Sequence, residues 1–306
     1  MKTIKLGNTG KKVPAVAVGC MRLTSLSQAE TANFINFAMD KEANFFDHAD
    51  IYGDGECETL FAQAIGMNAT VREKMILQSK CGIIPGKTFD FSKAHILFSV
   101  EKILKRLRTE YLDILLLHRP DALMEPEEVA EAFEELHNKG QVRHFGVSNQ
   151  NPMQISLLQK YVKQPLIVNQ LQLSVTNANM ISNGLHVNML DDAAINRDGS
   201  VLDFCRLHDI TIQTWSPFQY GFFEGVFLDN PKFPKLNEKI NEIAAEYSVT
   251  NTAIAAAWIL RHPAAMQLVT GTMNTQRLED CINAADITLT REQWYQIWMA
   301  AGNVLP

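Results

Sequence analysis

The sequence predicts an α/β fold: a single (β/α)8 TIM barrel with an N-terminal β-hairpin and a short C-terminal helical extension, with residues 1–306 forming one domain. Three observations carry this. Eight short runs are apolar or β-branched with few charges: Ala15–Val18, Asn44–Asp47, Met75–Ser79, Leu112–Leu117, Val142–Val147, Ile167–Gln170, Ile210–Thr214 and Gln267–Val269. Strands apolar on both faces belong in a parallel sheet covered by helices. Helical stripes alternate with them, as at Phe34, Ile35 and Ala38, or at Ile96, Val100, Ile103 and Leu107. The alternation runs from about residue 15 to residue 285 without a Pro/Gly/Ser-rich linker, which favours a closed barrel over an open sheet.

In chain order, Ile4-Lys5-Leu6, a Gly7-Asn8-Thr9-Gly10 turn and Lys12-Val13 read as a hairpin that closes the bottom of the barrel. Lys11 and Lys12 before apolar Val13 to Met21 imitate a signal peptide, but the small-residue triplet Ala15-Val16-Ala17 lies inside the apolar run, so it reads as a strand. Further stripes fall at Val129, Ala132, Phe133 and Leu136, and at Ile240, Ile243, Ala244 and Tyr247. After the eighth strand, Thr275–Ala284 reads as a helix, and Thr290 with Gln293 supplies the N-cap of a last helix ending before Gly302.

Composition narrows the function classes. The chain is 46% apolar and 20% charged, with 28 Lys+Arg against 34 Asp+Glu for a net charge of −6. That balance, with no run of five like charges, gives no footprint for a polyanion, so nucleic acid is not an expected partner. Apolar stretches such as Ala253 to Leu260 fall short of the roughly 20 residues a membrane span needs. Five scattered cysteines with no C-x-x-C pair point to neither a disulfide framework nor a thiolate zinc site, and to a reducing cytoplasm. A monomer or small homo-oligomer is expected.

Barrel chemistry sits where the strands end. Here the strand ends carry Asp47, Lys80, His118, Ser148-Asn149, Gln170 and Trp215, so six consecutive strands deliver polar or aromatic groups to one rim. Any one of them alone reads as an ordinary polar strand end. Asp47 and Lys80 each follow an apolar run, where an isolated charge is costly, so each is expected to have the other as partner. Tyr52, five residues beyond Asp47, lies on a loop long enough to fold its phenol over the mouth. A phenol with an ordinary pKa near 10 needs a nearby cation to act near neutrality, and Lys80 is placed to supply it. Asp, Tyr, Lys and His together make a proton-donating constellation for a carbonyl oxygen.

These residues resemble a known family. Phe46-Asp47-His48-Ala49-Asp50-Ile51-Tyr52-Gly53, Leu77-Gln78-Ser79-Lys80, Leu115-Leu116-Leu117-His118-Arg119-Pro120, Arg143-His144-Phe145-Gly146-Val147-Ser148-Asn149, Val168-Asn169-Gln170 and Val269-Thr270-Gly271-Thr272 resemble the successive motifs of the aldo/keto reductases, most closely their bacterial oxidoreductase branch. The resemblance implies a barrel that binds NADPH without a Rossmann fold and reduces an aldehyde or ketone, or runs the reverse oxidation. It implies Tyr52 as acid, Lys80 lowering its pKa, Asp47 paired with Lys80, and His118 orienting the carbonyl. It further implies Ser148, Asn149 and Gln170 on the nicotinamide carboxamide and Trp215 stacked on the ring. Thr272 and Arg277 would hold the adenosine phosphate, and Cys20, Met21, Ser216, Phe218, Gly271 and Asp280 complete the implied cofactor contacts. His48, Asp280 and Cys281 depart from the family's usual residues, Phe218-Gln219-Tyr220-Gly221 replaces its usual loop, and Asn177 to Gly199 does not align.

Other motifs fail. Gly53 and Gly55 begin a dinucleotide fingerprint, but Glu58 occupies the third glycine position. Gly82-Ile83-Ile84-Pro85-Gly86-Lys87-Thr88 is one residue short of a P-loop and reads as a surface loop. A metal-dependent barrel hydrolase built on His48, Asp50, His118 and Asp121 is the rival enzyme, although no H-x-H pair is present. The non-enzymatic rival is an NADPH-binding barrel that senses redox state or docks a partner. The short tail after Trp298 points to an open site accepting varied aldehydes or ketones.

Overall fold

The computed structural model describes residues 1–304. Eight parallel strands form a closed barrel in sequential order: β1 Val16–Gly19, β2 Phe45–Asp47, β3 Ile76–Cys81, β4 Leu112–Leu117, β5 Val142–Ser148, β6 Leu166–Gln172, β7 Thr211–Trp215 and β8 Gln267–Thr270. Each expected strand is present, with β4 at the expected bounds and the ends of the others moved by at most two residues. Ring closure is made by β8 against β1, where Leu268, Val269 and Thr270 pair with Val16, Ala17 and Val18.

The expected hairpin also forms, with Ile4 opposite Val13. Its Leu6 and Val13 join Ala17, Phe45, Ile114, Leu116, Ile167 and Val168 in a small apolar cluster that plugs one end of the barrel. The larger core lies between the strands and the outer helices, where Leu115 and Leu117 meet residues such as Val100, Ile103 and Phe133. Burying both sequence faces of β4 explains why it reads as an unbroken apolar run.

Helices Gln28–Asp40, Lys93–Leu107, Pro126–Asn138 and Pro234–Tyr247 coincide with the four stripes. The Thr290–Gln293 capping box is formed and opens the last helix, Arg291–Ala300. One helix that left no stripe is Asn251–Leu260, whose residues Ala253 through Ile259 are all buried. An all-round apolar helix has no polar face to create a moment. The near P-loop folds as a small hairpin in which Ile83 and Ile84 pair with Phe89 and Thr88. The segment that does not align contains helix Asn179–Leu185 and is followed by helix Val201–Leu207.

Polar side chains also run through the barrel interior. Gln213 donates to Gln267 Oε1 at 2.8 Å, and Gln267 donates to the Pro14 carbonyl at 2.7 Å. Gln170 and Gln78 donate to the same Asp47 oxygen, at 3.2 and 2.6 Å. The site floor is thereby connected to the hairpin end through buried amides whose hydrogen bonds are made inside the protein, as burial demands.

Candidate active site

The C-terminal ends of β2 and β4 bring Asp47 and His118 to the floor of one cavity of about 1400 Å3, and Lys80 of β3 lies buried behind Asp47 and Tyr52. Lys80 is fully buried, and its ammonium donates to Asp47 Oδ2 at 2.8 Å, to the His48 carbonyl at 2.8 Å and to the Tyr52 hydroxyl at 3.1 Å. An ammonium has three donors, and all three are used. Tyr52 enters from the turn after β2, with its ring 6.0 Å from the His118 ring and edge to face with it. The expected Asp47–Lys80 pairing is therefore present, with the phenol attached to it.

Electrostatics follow from burial and from this one cation. Burial acts to lower the Lys80 pKa, but Asp47 and Tyr52 overcome it, so the amine sits above its ordinary value and stays charged. The Tyr52 phenol is pushed up by burial, while Lys80 pulls it down and Asp47 pushes it further up. The pull from Lys80 exists, but burial outweighs it, so the phenol is protonated at neutral pH. His118 is held well below its ordinary value by burial, then by Lys80 and Arg119, which keeps the imidazole neutral.

The wall beside the floor comes from β5, β6 and β7. Ser148 donates to the Gln170 carbonyl at 3.0 Å, Asn149 donates to Ser148 Oγ at 2.7 Å, and the Trp215 indole donates to Asn149 Oδ1 at 3.2 Å. Asn149 and Ser216 both have positive φ, 57° and 52°, so the strand ends turn sharply into the cavity. Met21, Ser216, Phe218, Gly271, Thr272, Arg277 and Asp280 line the same cavity. Arg277 follows the Asn274 N-cap of helix Thr275–Asn283, and Asp280 accepts from Gln276 at 3.3 Å.

Cys20 is not brought to the wall. Its thiol is buried, donates to the Val18 carbonyl at 3.6 Å and is pushed well up by burial, so it packs beneath the cavity. Cys281 likewise faces the core, where its thiol donates to Thr270. His48, a departure in the sequence, leaves the Lys80 contacts intact because it contributes only its carbonyl. Its ring packs edge-on against Phe61 at 4.7 Å, neither nitrogen has a partner, and burial with Lys80 lowers its pKa to about 3. Among the described residues, no group of three or more His, Cys, Asp or Glu is arranged to hold a metal ion. Asp121 is occupied elsewhere, accepting from the backbone of Phe91 and Leu123.

Sequence reasoning missed several lining residues. Arg22, Arg119, Phe222 and Phe223 all face the cavity. Arg22 donates to the Gly271 carbonyl at 3.0 Å, which sets a second cation beside the β8 end. Its signal was its place directly after Met21, just past the first strand.

Comparison with known proteins gives a consistent result. The aldo/keto reductase family model matches residues 15–300. The chain is 36% identical over 285 residues to the uncharacterized oxidoreductase YcsN of Bacillus subtilis, spanning 90% of this chain and 89% of that protein. It is 31% identical over 311 residues to the Escherichia coli oxidoreductase YdhF, covering 98% of each. The Bombyx mori aldo-keto reductase, solved in complex with NADP, shares the fold at a TM-score of 0.75 and 22% identity, covering 98% of this chain and 92% of that one. This chain belongs to the aldo/keto reductase family and is an oxidoreductase of that family.

Proposed function

We propose that the protein reduces an aldehyde or ketone to the alcohol with NADPH, or runs the reverse oxidation, with Tyr52 as general acid. The observation that carries this is the Lys80 ammonium 3.1 Å from a protonated Tyr52 hydroxyl, beside a neutral His118, on the floor of a large cavity.

The residues present suit a phosphorylated dinucleotide. Ser148, Asn149 and Gln170 offer amides and a hydroxyl for the carboxamide, and Trp215 offers a flat face for the ring. Gly271 leaves open the space beside Arg22, where a Cβ would stand 3.2 Å from Nη1. Arg22, Thr272 and Arg277 provide cations and a hydroxyl for phosphate, and a helix N-terminus lies beneath them. The Bombyx mori neighbour's complex with NADP supports the same cofactor.

When bound, NADPH supplies the hydride for the carbonyl carbon. Tyr52 donates its hydroxyl proton to the carbonyl oxygen, and solvent returns a proton before the next turnover. Lys80 stabilises the phenolate as it forms, which matters most in a buried site where no water screens it. Asp47 offsets the buried ammonium and holds it in place. Neutral His118 orients the carbonyl by hydrogen bonding, and the Trp215 side wall keeps water from the reacting face. The five buried, unpaired cysteines support a reducing cytoplasm as the compartment, with the chain acting as one domain, alone or in a small homo-oligomer.

Following loss of nicotinamide absorbance with a panel of aldehydes and ketones tests the reading against a barrel that only binds the cofactor. Turnover is expected with wild type. Tyr52→Phe should lower kcat about 10²–10⁴-fold with NADPH affinity nearly unchanged. Retention of more than half of wild-type kcat would remove Tyr52 from the role.

A further inference from the structure

On the substrate side of the cavity, one guanidinium has no anionic partner among the described residues. Arg119 follows His118 at the end of β4 and lines the same cavity. It makes no hydrogen bond and no ion pair among the described residues; its contacts are with two rings, Trp215 at 5.5 Å and Phe222 at 5.8 Å. The acidic residues of the cavity are engaged elsewhere: Asp47 with Lys80, Asp229 with Asn251, and Asp280 with Gln276. Burial alone lowers the Arg119 pKa, with no carboxylate acting against it.

A half-buried cation between aromatic faces loses hydration and regains part of it through the ring quadrupoles. The rings also hold the planar fork in one orientation, leaving its donors available for a planar anion. A cation with only this compensation raises the positive potential at the cavity mouth and helps to keep His118 neutral. We propose that Arg119 is an anion subsite, so that the favoured substrates are aldehydes or ketones bearing a carboxylate or similar anionic group remote from the carbonyl. This rests on the carbonyl reduction proposed above.

Two measurements separate the two ideas. In turnover, 4-formylbenzoate should have a higher kcat/KM than methyl 4-formylbenzoate, with the difference mainly in KM. Arg119→Leu should cut that ratio about 10- to 150-fold, the worth of one charge-assisted contact, and Arg119→Lys should restore part of it. In binding, followed by tryptophan fluorescence with and without NADP+, wild type should prefer 4-(hydroxymethyl)benzoate over its methyl ester, and Arg119→Leu should erase the preference. Arg119→Gln, which keeps a polar planar group without charge, should behave like Arg119→Leu if charge is what matters. Equal affinity of wild type for acid and ester, or the same ratio in Arg119→Leu, would overturn the subsite. No turnover of either aldehyde, with the binding preference intact, would overturn the reductase reading while supporting the subsite.

Discussion

Gln78 and Gln213 grip each other by both ends of their amides across the barrel interior, Gln78 Nε2 to Gln213 Oε1 at 2.7 Å and Gln213 Nε2 to Gln78 Oε1 at 3.0 Å. Both are fully buried, so each amide depends on the other for satisfaction. The first of them also holds Asp47, which makes the pair part of the site's foundation rather than of its wall.

Gln213→Leu should therefore destabilise the fold by about 1–3 kcal/mol, the cost of leaving a buried amide unsatisfied. Gln78→Leu combined with Gln213→Leu should cost less than the sum of the two single changes. Urea unfolding of the four proteins in a double-mutant cycle measures the coupling, and strict additivity would show that the amides do not depend on each other.

Lys80→Met should abolish turnover and also cost about 3–5 kcal/mol, because it leaves Asp47 buried without its cation. Adding Asp47→Asn should return part of the stability and none of the activity. Denaturant midpoints together with steady-state rates distinguish this from a purely catalytic role for Lys80.

Behind the site, Asp50 should give the stability a pH dependence. Burial, then repulsion from Glu58, raises its pKa from 3.8 to about 7, against the pull of Arg106, Ser99 and the Ile51 backbone. Glu58 in turn accepts from Ser79 at 2.8 Å and Arg106 at 2.7 Å. Arg106 reaches that position because Gly55, at φ 89°, has no Cβ; one would lie 2.6 Å from Arg106 Nε. Between about pH 4 and about pH 7 the unfolded chain has released the Asp50 proton while the folded chain keeps it, so stability falls as pH rises through that window and levels above it. Asp50→Asn should narrow the difference in Tm between about pH 5 and about pH 8, leaving the slope that Glu58 contributes. An unchanged difference would show that Asp50 is ionised throughout.

Of the two arginines at the β8 end, Arg277 should set cofactor choice and Arg22 overall cofactor affinity. Arg277→Ala should reduce the preference for NADP+ over NAD+ by roughly 10- to 150-fold, the worth of one charge-assisted phosphate contact. Arg22→Ala should weaken both cofactors more evenly, since its guanidinium is bonded to the Gly271 carbonyl. Kd values by fluorescence quenching decide it, and an unchanged ratio in Arg277→Ala would sink the assignment.

The barrel was legible because its strands are apolar on both faces, and the Asp47–Lys80 pair because buried charges in such strands need each other. Other features were less so. Helix Asn251–Leu260 left no stripe, since it is buried on every side. The glutamines left a signal that was easy to pass over: Gln213 interrupts a strand that is otherwise apolar or β-branched, Gln78 follows the apolar Ile76-Leu77 and Gln267 opens β8, and only the closed sheet shows that these side chains meet. The burial of the Cys20 side chain was not legible because sequence gives a strand's end but not the face to which a residue near it turns. Arg119 stood within a recognised motif, yet that it pairs with no carboxylate among the described residues is visible only in three dimensions.

The aromatic rim is fastened separately from the floor. Gln172 donates to the Gly221 carbonyl at 2.8 Å and Ser174 to the Gln219 carbonyl at 2.7 Å, so the Phe222–Phe223 segment hangs from the end of β6. The interior amides meanwhile run from Asp47 toward Pro14. The Phe222 and Phe223 side chains can thus be exchanged, by selection or by design, without breaking the hydrogen bonds among Asp47, Lys80 and Tyr52, so the shape of the mouth can drift while the proton donor stays held.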